Sequence, residues 1–171
     1  SFFAFDRLSG DDSGRAGARS APPRIWMSDW SAVQERNETW RLHATEGEVG
    51  LDLELRPSKV PVLQGDEGLS RKGPEPGNAS YYYSLSRLLT TGTLIVRGER
   101  HEVSGMSWMD REWSTNPRAG GLTGWDWFAF HLDDGRDLVY GQIRGTGGQA
   151  TSSGAGSVLE ADGRKAPLSQ E

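Results

Sequence analysis

The stretch Thr39-Trp40-Arg41-Leu42-His43-Ala44-Thr45-Glu46-Gly47-Glu48-Val49-Gly50-Leu51-Asp52-Leu53-Glu54-Leu55-Arg56 decides the fold class. Trp40 and Leu42 alternate with Arg41 and His43, and Leu51, Leu53 and Leu55 alternate with Asp52, Glu54 and Arg56. A period of two puts one set of side chains on each face of a half-buried strand. Glu46-Gly47-Glu48 lies between the two segments, so they read as a hairpin.

The same pattern extends outward. Ile25–Trp30 and Ser80–Leu89 read as strands. Thr93–Val96, then Arg97-Gly98-Glu99-Arg100, then His101–Trp113 reads as a second hairpin. Trp125–Leu132 and Asp137–Arg144 flank the turn Asp133-Asp134-Gly135-Arg136 and make a third. No segment carries a sustained helical stripe. Eight or nine short strands of this kind predict an all-β, antiparallel barrel or sandwich. Ser9–Pro23, Ser114–Gly124 and the Gly/Ser/Thr-rich Gly145–Gly156 read as loops, the last a surface loop.

Composition removes several function classes. The 171 residues include no cysteine, which excludes disulfides, thiolate metal sites and cysteine nucleophiles. Net charge is −5, from 24 acidic and 19 basic residues interspersed along the chain. With no basic stripe, nucleic acid is not an expected partner. No apolar run approaches the ~18 residues that a transmembrane helix needs. His43, His101 and His131 lack metal-ligand spacing, and Asp133, Asp134 and Asp137 fit a hairpin turn better than a calcium loop. No metal and no cofactor is expected. The chain starts with Ser1 inside an apolar stretch (Phe2, Phe3, Phe5), which reads as part of a longer protein.

Chemistry concentrates in Gly105-Met106-Ser107-Trp108-Met109-Asp110-Arg111-Glu112-Trp113. In an extended strand Met106, Trp108, Asp110 and Glu112 share one face. A carboxyl buried against an indole, beside a second carboxylate, is held protonated nearer neutral pH and becomes a proton donor. The alternative is a barrel-mouth strand whose Asp110 and Glu112 bond to Arg111 or Arg118. In Gly124-Trp125-Asp126-Trp127-Phe128-Ala129-Phe130, Trp125 and Trp127 face one way and Asp126, Phe128 and Phe130 the other. Asp126 within such a strand needs a hydrogen-bond partner or a functional role. Tyr81 and Tyr83 share a face, with Tyr82 opposite, and suit either a cavity wall or cross-strand packing.

Taken in order, Val62-Leu63-Gln64-Gly65-Asp66, Tyr81–Arg87, Val103–Trp113 and Gly124–Phe128 resemble the lipocalin-like proteins grouped with carotenoid 1,2-hydratase and AttH. The resemblance runs from Phe2 to about Gly163. It implies two lipocalin-like barrels in tandem, the first over residues 1–113 and the second beginning at 124–171, both incomplete here. It further implies a bacterial envelope or secreted location, and a hydrophobic small molecule, isoprenoid- or lipid-like, as ligand. In the hydratases, water adds to an isolated isoprenoid double bond without a redox cofactor; other relatives are cyclases or are grouped as secreted hydrolases.

Carried onto this sequence, the resemblance implies Asp110 as acid and Glu112 as water-activating base. Trp108, Trp125, Asp126, Trp127, Tyr81 and Tyr83 would bind substrate. Arg111 stands where many relatives have His, and Ser114 where Gly is common. Three readings follow: a cofactor-independent hydro-lyase, a carrier of a hydrophobic ligand, or a cyclase or hydrolase on another lipophilic substrate. A glycosidase-like use of Asp110 and Glu112 ranks last, because the roughly 7 Å between Cβ atoms of strand neighbours two apart does not by itself select either carboxyl arrangement that glycosidases use.

Overall fold

A computed structural model describes residues 14–72, 77–114 and 123–168. Among them thirteen strands run in order: β1 (Ala16–Ser20), β2 (Pro23–Met27), β3 (Trp30–Gln34), β4 (Trp40–Glu46), β5 (Val49–Pro57), β6 (Val62–Leu63), β7 (Leu69–Arg71), β8 (Ala79–Val96), β9 (Glu99–Trp113), β10 (Gly124–His131), β11 (Asp137–Arg144), β12 (Ala150–Leu159) and β13 (Lys165–Leu168). One helical turn, Arg36–Glu38, joins β3 to β4. The fold is all-β and its registered strand pairs are antiparallel, as the alternation predicts.

The chain divides into two compact units. The first holds residues 1–58 and 88–107, the second 59–87 and 108–171. Strands β8 and β9 are long enough to contribute one half to each.

In the first unit the strands pair in the order β1-β2-β3-β4-β5-β8, and β9 pairs β8. Among the described residues no ladder returns from β9 to β1, so this sheet is open. The quoted hairpin forms in the expected register, with Trp40 opposite Leu55, Leu42 opposite Leu53 and Ala44 opposite Leu51. That register stacks the apolar residues on one face, where Trp40, Leu55 and Leu88 are buried. A shallow apolar cavity of about 270 Å³ opens on this unit, lined mainly by Ile25, Met27, Trp30, Ala32, Leu42 and Leu51.

Four local expectations change here. Ile25–Trp30 is not one strand: Ser28, at φ 55°, and Asp29 turn the chain between β2 and β3. Ala16–Ser20, read as loop, pairs with Pro23–Met27 as β1. The strands expected at Ser80–Leu89 and Thr93–Val96 are one strand, because Gly92 lets the chain run through. Its φ is +145°, and a Cβ there would stand 2.1 Å from the Asp52 carbonyl oxygen. The β8–β9 hairpin forms as expected, but its turn is two residues rather than four: Arg97 at φ 56° and Gly98 at φ 78° occupy the left-handed region that tight hairpins require, and Glu99 and Arg100 already belong to β9.

In the second unit β6 and β7 pair with the first half of β8, Val62 opposite Ser84 and Leu69 opposite Tyr81. β10, β11, β12 and β13 form a separate four-stranded sheet. The Gly145–Gly156 segment is a loop only to Gln149, and β12 begins at Ala150. Its small residues allow close packing: a Cβ on Gly156 would lie 2.6 Å from the Val139 carbonyl oxygen. Residues 115–122, most of the expected loop before β10, lie outside the described residues.

Val62, Leu85, Val139 and Leu159 form the core of this unit, and Asp137 is buried with them at 0 % exposure. Lys59 Nζ donates to Asp137 Oδ2 at 2.8 Å, and Ser86 Oγ donates to the same oxygen at 2.9 Å. Arg87 approaches Oδ1 with Nε at 3.0 Å and a terminal nitrogen at 2.7 Å. Burial works against the charged carboxylate, yet the bonds from Arg87, Lys59 and Ser86 outweigh it and hold Asp137 below its ordinary range. Spare donors on both cations reach the carbonyls of Gly135, Leu132 and Arg136. Asp137 therefore ties β8 and the segment before β6 to the start of β11. The sequence places it at a turn and carries no signal of this role.

Candidate functional site

Strand β8 builds the site by alternation. Ser80, Tyr82, Ser84 and Ser86 share one face, and Tyr81, Tyr83 and Leu85 the other. Ser80, Ser84 and Ser86 are all buried, and each donates its hydroxyl to a carboxylate: Ser80 to Glu112, Ser84 to Asp110 at 2.5 Å, and Ser86 to Asp137. Serine is small enough to leave room for a facing acid and supplies the one donor that the acid needs. The spacing of serines on one strand face is the signal in the sequence that marks this site.

Asp110 and Glu112 both lie on this face, as the strand parity of β9 predicts. Asp110 Oδ1 accepts from Ser84 Oγ and, at 2.9 Å, from Trp108 Nε1. Ser84 in turn accepts from Gln64 Nε2 at 3.0 Å, and both residues are buried. Glu112 pairs with Lys72 at 2.6 Å as well as with Ser80. Neither acid bonds to Arg111 among the described residues, and Arg118 lies outside them.

The two acids are less enclosed than expected. Asp110 is exposed and the Glu112 side chain is 39 % exposed, although the serines that bond them, Ser84 and Ser80, are buried. The carboxylates stand at the rim of the unit and reach inward to fixed donors. In this chain no indole buries Asp110: Trp108 meets it edge-on, through its N–H.

Tyr82, opposite in parity to the tyrosines expected in the site, is the one that enters it. Its hydroxyl accepts from Trp127 Nε1 at 3.3 Å, and Lys72 Nζ lies 5.5 Å from its ring centroid. Burial, then the negative charge of Asp110, pushes the Tyr82 phenol well above its ordinary value, so it remains a neutral O–H donor across the physiological range. Trp108 packs edge-to-face on Trp127, centroids 6.2 Å apart, and 6.0 Å from the ring of His131, whose Nε2 is 2.7 Å from the Ser86 carbonyl oxygen.

Tyr81 and Tyr83 instead pack on Trp113, at 5.8 Å and 6.3 Å, on the other face of β8. Trp125 shares its β10 face with Trp127 and is 71 % exposed. Asp126 points to the opposite face and lies 3.6 Å from Arg144. The structure thus brings together Asp110, Glu112, Trp108 and Trp127 of the expected set, adds Tyr82, Ser84, Ser80, Gln64 and Lys72, and leaves Tyr81, Tyr83 and Asp126 away from the carboxylates. Among the described residues no group of three or more His, Asp or Glu is arranged to hold a metal ion, and no helix is long and apolar enough to cross a membrane.

Chemically, the face offers a solvent-accessible carboxyl with two fixed donors, a neutral phenol, a second carboxylate held by a lysine, and an edge of indoles. Carboxyl, phenol and lysine groups held this close together are the kinds of group that carry out general acid–base chemistry.

The AttH-like family model matches residues 1–171. A solved structure assigned as an AttH from Nitrosomonas europaea is 35 % identical, with a TM-score of 0.79 over 85 % of this chain and 45 % of that one. Kievitone hydratase from Nectria haematococca is 16 % identical, with a TM-score of 0.64 over 84 % of this chain and 45 % of that one, a likeness of fold. No curated protein matches the chain. The chain spans about half the length of the solved structures that it matches.

Proposed function

This chain belongs to the AttH-like family, and on that premise we propose that it carries the proton-transfer face of a cofactor-independent hydro-lyase acting on an isoprenoid-like double bond. The observation that supports this most is the cluster Asp110–Ser84–Trp108–Tyr82 beside Trp127, with a second carboxylate, Glu112, two residues along the same strand face. The fold likeness to a hydratase is consistent with it.

In the proposed reaction Asp110 gives its proton to one alkene carbon, and the electron pair of the double bond forms the new C–H bond. The other carbon becomes a tertiary cation, which the faces of Trp108 and Trp127 stabilise by ~2 kcal/mol each when water is excluded. Water adds to the cation as Glu112, held by Lys72, takes its proton. The alcohol leaves, and proton exchange through solvent restores Asp110. Because Asp110 is exposed in this chain, the substrate's own apolar body, seated across the indoles, supplies the desolvation that carbon protonation requires.

The domain division expected from the resemblance, 1–113 and 124–171, belongs to this proposal. The separate hydrogen-bonded sheet of β10–β13 supports it. A second reading, a carrier without turnover, is favoured by the apolar cavity of the first unit.

The test compares wild-type and Asp110→Asn for binding and turnover of an acyclic isoprenoid. Binding by both with a hydrated product only from wild-type supports the hydro-lyase. Equal binding with no product from either refutes it and favours the carrier.

A further inference from the structure

The segment Val62-Leu63-Gln64-Gly65-Asp66 has no role in the chemistry above, yet its geometry is tightly constrained. Val62 and Gln64 are buried, while Leu63 between them is 50 % exposed. The Gln64 amide donates to the Tyr82 carbonyl at 3.0 Å, which pins its backbone beside the middle of β8. Gly65 follows at φ +65°, and a Cβ there would stand 2.4 Å from the Leu69 carbonyl oxygen. Asp66 then closes a tight turn by reciprocal backbone bonds with Leu69, at 3.0 and 2.8 Å. The effect of this turn is to hold one buried side-chain amide, that of Gln64, against Ser84.

Ser84 has one proton to donate and is fully buried, so its hydroxyl direction depends on its neighbours. Gln64 Nε2 donates to Ser84 Oγ at 3.0 Å, and this occupies an acceptor position on that oxygen. The Ser84 proton is thereby directed to Asp110 Oδ1 at 2.5 Å. Trp108 Nε1 donates to the same Oδ1 at 2.9 Å. An oxygen that already receives two N–H or O–H donors is a poor place for a further proton, which would find no acceptor there.

We propose that Gln64 and Ser84 are positioning residues that orient Asp110 so that its transferable proton resides on Oδ2. The function of the Gln64–Gly65 turn is then to set which oxygen of the acid faces the substrate. This inference rests on the reading of Asp110 as proton donor, and it adds a relay that acts through Asp110 and touches no substrate. The other titratable groups at this face are Tyr82, whose hydroxyl also interacts with the Asp110 carboxylate, the Lys72–Glu112 pair and His131 against Trp108.

The Trp108 indole N–H reports on Asp110 without any substrate. In ¹⁵N-labelled protein its resonance, assigned by loss in Trp108→Phe, is followed against pH. Asp110→Asn should abolish its acid titration. Ser84→Ala removes a donor that favours the ionised carboxylate, so the midpoint moves to higher pH by about one unit. Gln64→Met keeps the shape but leaves Ser84 unpolarised, and it should move the midpoint in the same direction by less. A midpoint unmoved in folded Ser84→Ala overturns the proposal, and one unmoved in Gln64→Met overturns the part given to Gln64. Dispersed indole spectra establish that each variant is folded, and the two variants serve independently. If both shifts occur while no isoprenoid is hydrated, the relay stands and the hydro-lyase reading falls. If hydration occurs without the shifts, the reverse holds.

Discussion

Replacing Asp137 by Asn removes one negative charge from a site where two cations are buried with it. Lys59 is 6 % exposed at its side chain and Arg87 16 %, and Asp137 itself is 0 % exposed. Asn preserves the volume but takes away the carboxylate charge that both cations share, and breaking a buried pair in this way costs about 3–5 kcal/mol. A domain has about 5–15 kcal/mol to lose. With a urea m-value of about 1.5–2 kcal/mol per molar, the midpoint of unfolding should fall by about 2 M. Equilibrium urea titration followed by tryptophan fluorescence measures this directly.

The pH dependence gives a second check. The folded Asp137 carboxyl lies below its unfolded value. The stability that it contributes is therefore complete above the unfolded value of about 3.9 and is lost as pH falls through the folded one. The gap between wild-type and Asp137→Asn should be constant from about pH 5 to 8 and close below about pH 4. A loss under ~1 kcal/mol at pH 7, or a gap that persists in acid, refutes the account of Asp137 as the charged tie of the second unit.

Other predictions concern the site and the turns. Asp110→Asn should lower the Tyr82 phenol titration by about one to two pH units, because a negative charge that opposes phenolate formation is gone; tyrosinate absorbance, with Tyr82→Phe as the blank, reads it. Lys72→Met should change stability by less than about 1 kcal/mol, since the Lys72–Glu112 pair is partly solvated. If Glu112 is the base, the same variant slows turnover. Gly92→Ala should cost about 2–3 kcal/mol or more, from the positive φ and the collision with the Asp52 carbonyl; a thermal transition within 2 °C of wild-type would falsify the steric argument.

What the sequence by itself determined was local. Alternation in Trp40–Leu42 and Leu51–Leu55 is a property of neighbouring residues, and a strand has no other way to put those leucines on one face. The Arg97-Gly98 and Asp133–Arg136 turns carry their own conformational preferences, so their hairpins were equally legible. Strand parity also placed Asp110, Glu112 and Trp108 together without reference to the rest of the chain.

Only the tertiary structure decided what those residues meet. Gly92 reads as a break, yet it sustains β8 because the Asp52 carbonyl lies where a side chain would be. The Gly/Ser-rich run after Gln149 becomes β12 because its missing side chains let the sheet close on Val139 and Tyr140. Tyr82 rather than Tyr81 or Tyr83 enters the site because the serine face of β8 is the one turned to the carboxylates of β9, 26 to 32 residues away in sequence. The burial of Asp137, and the meeting of Gln64, Ser84 and Asp110, depend on which strand lies beside which. Such long-range pairings have no local periodicity, and for that reason they cannot be read from one.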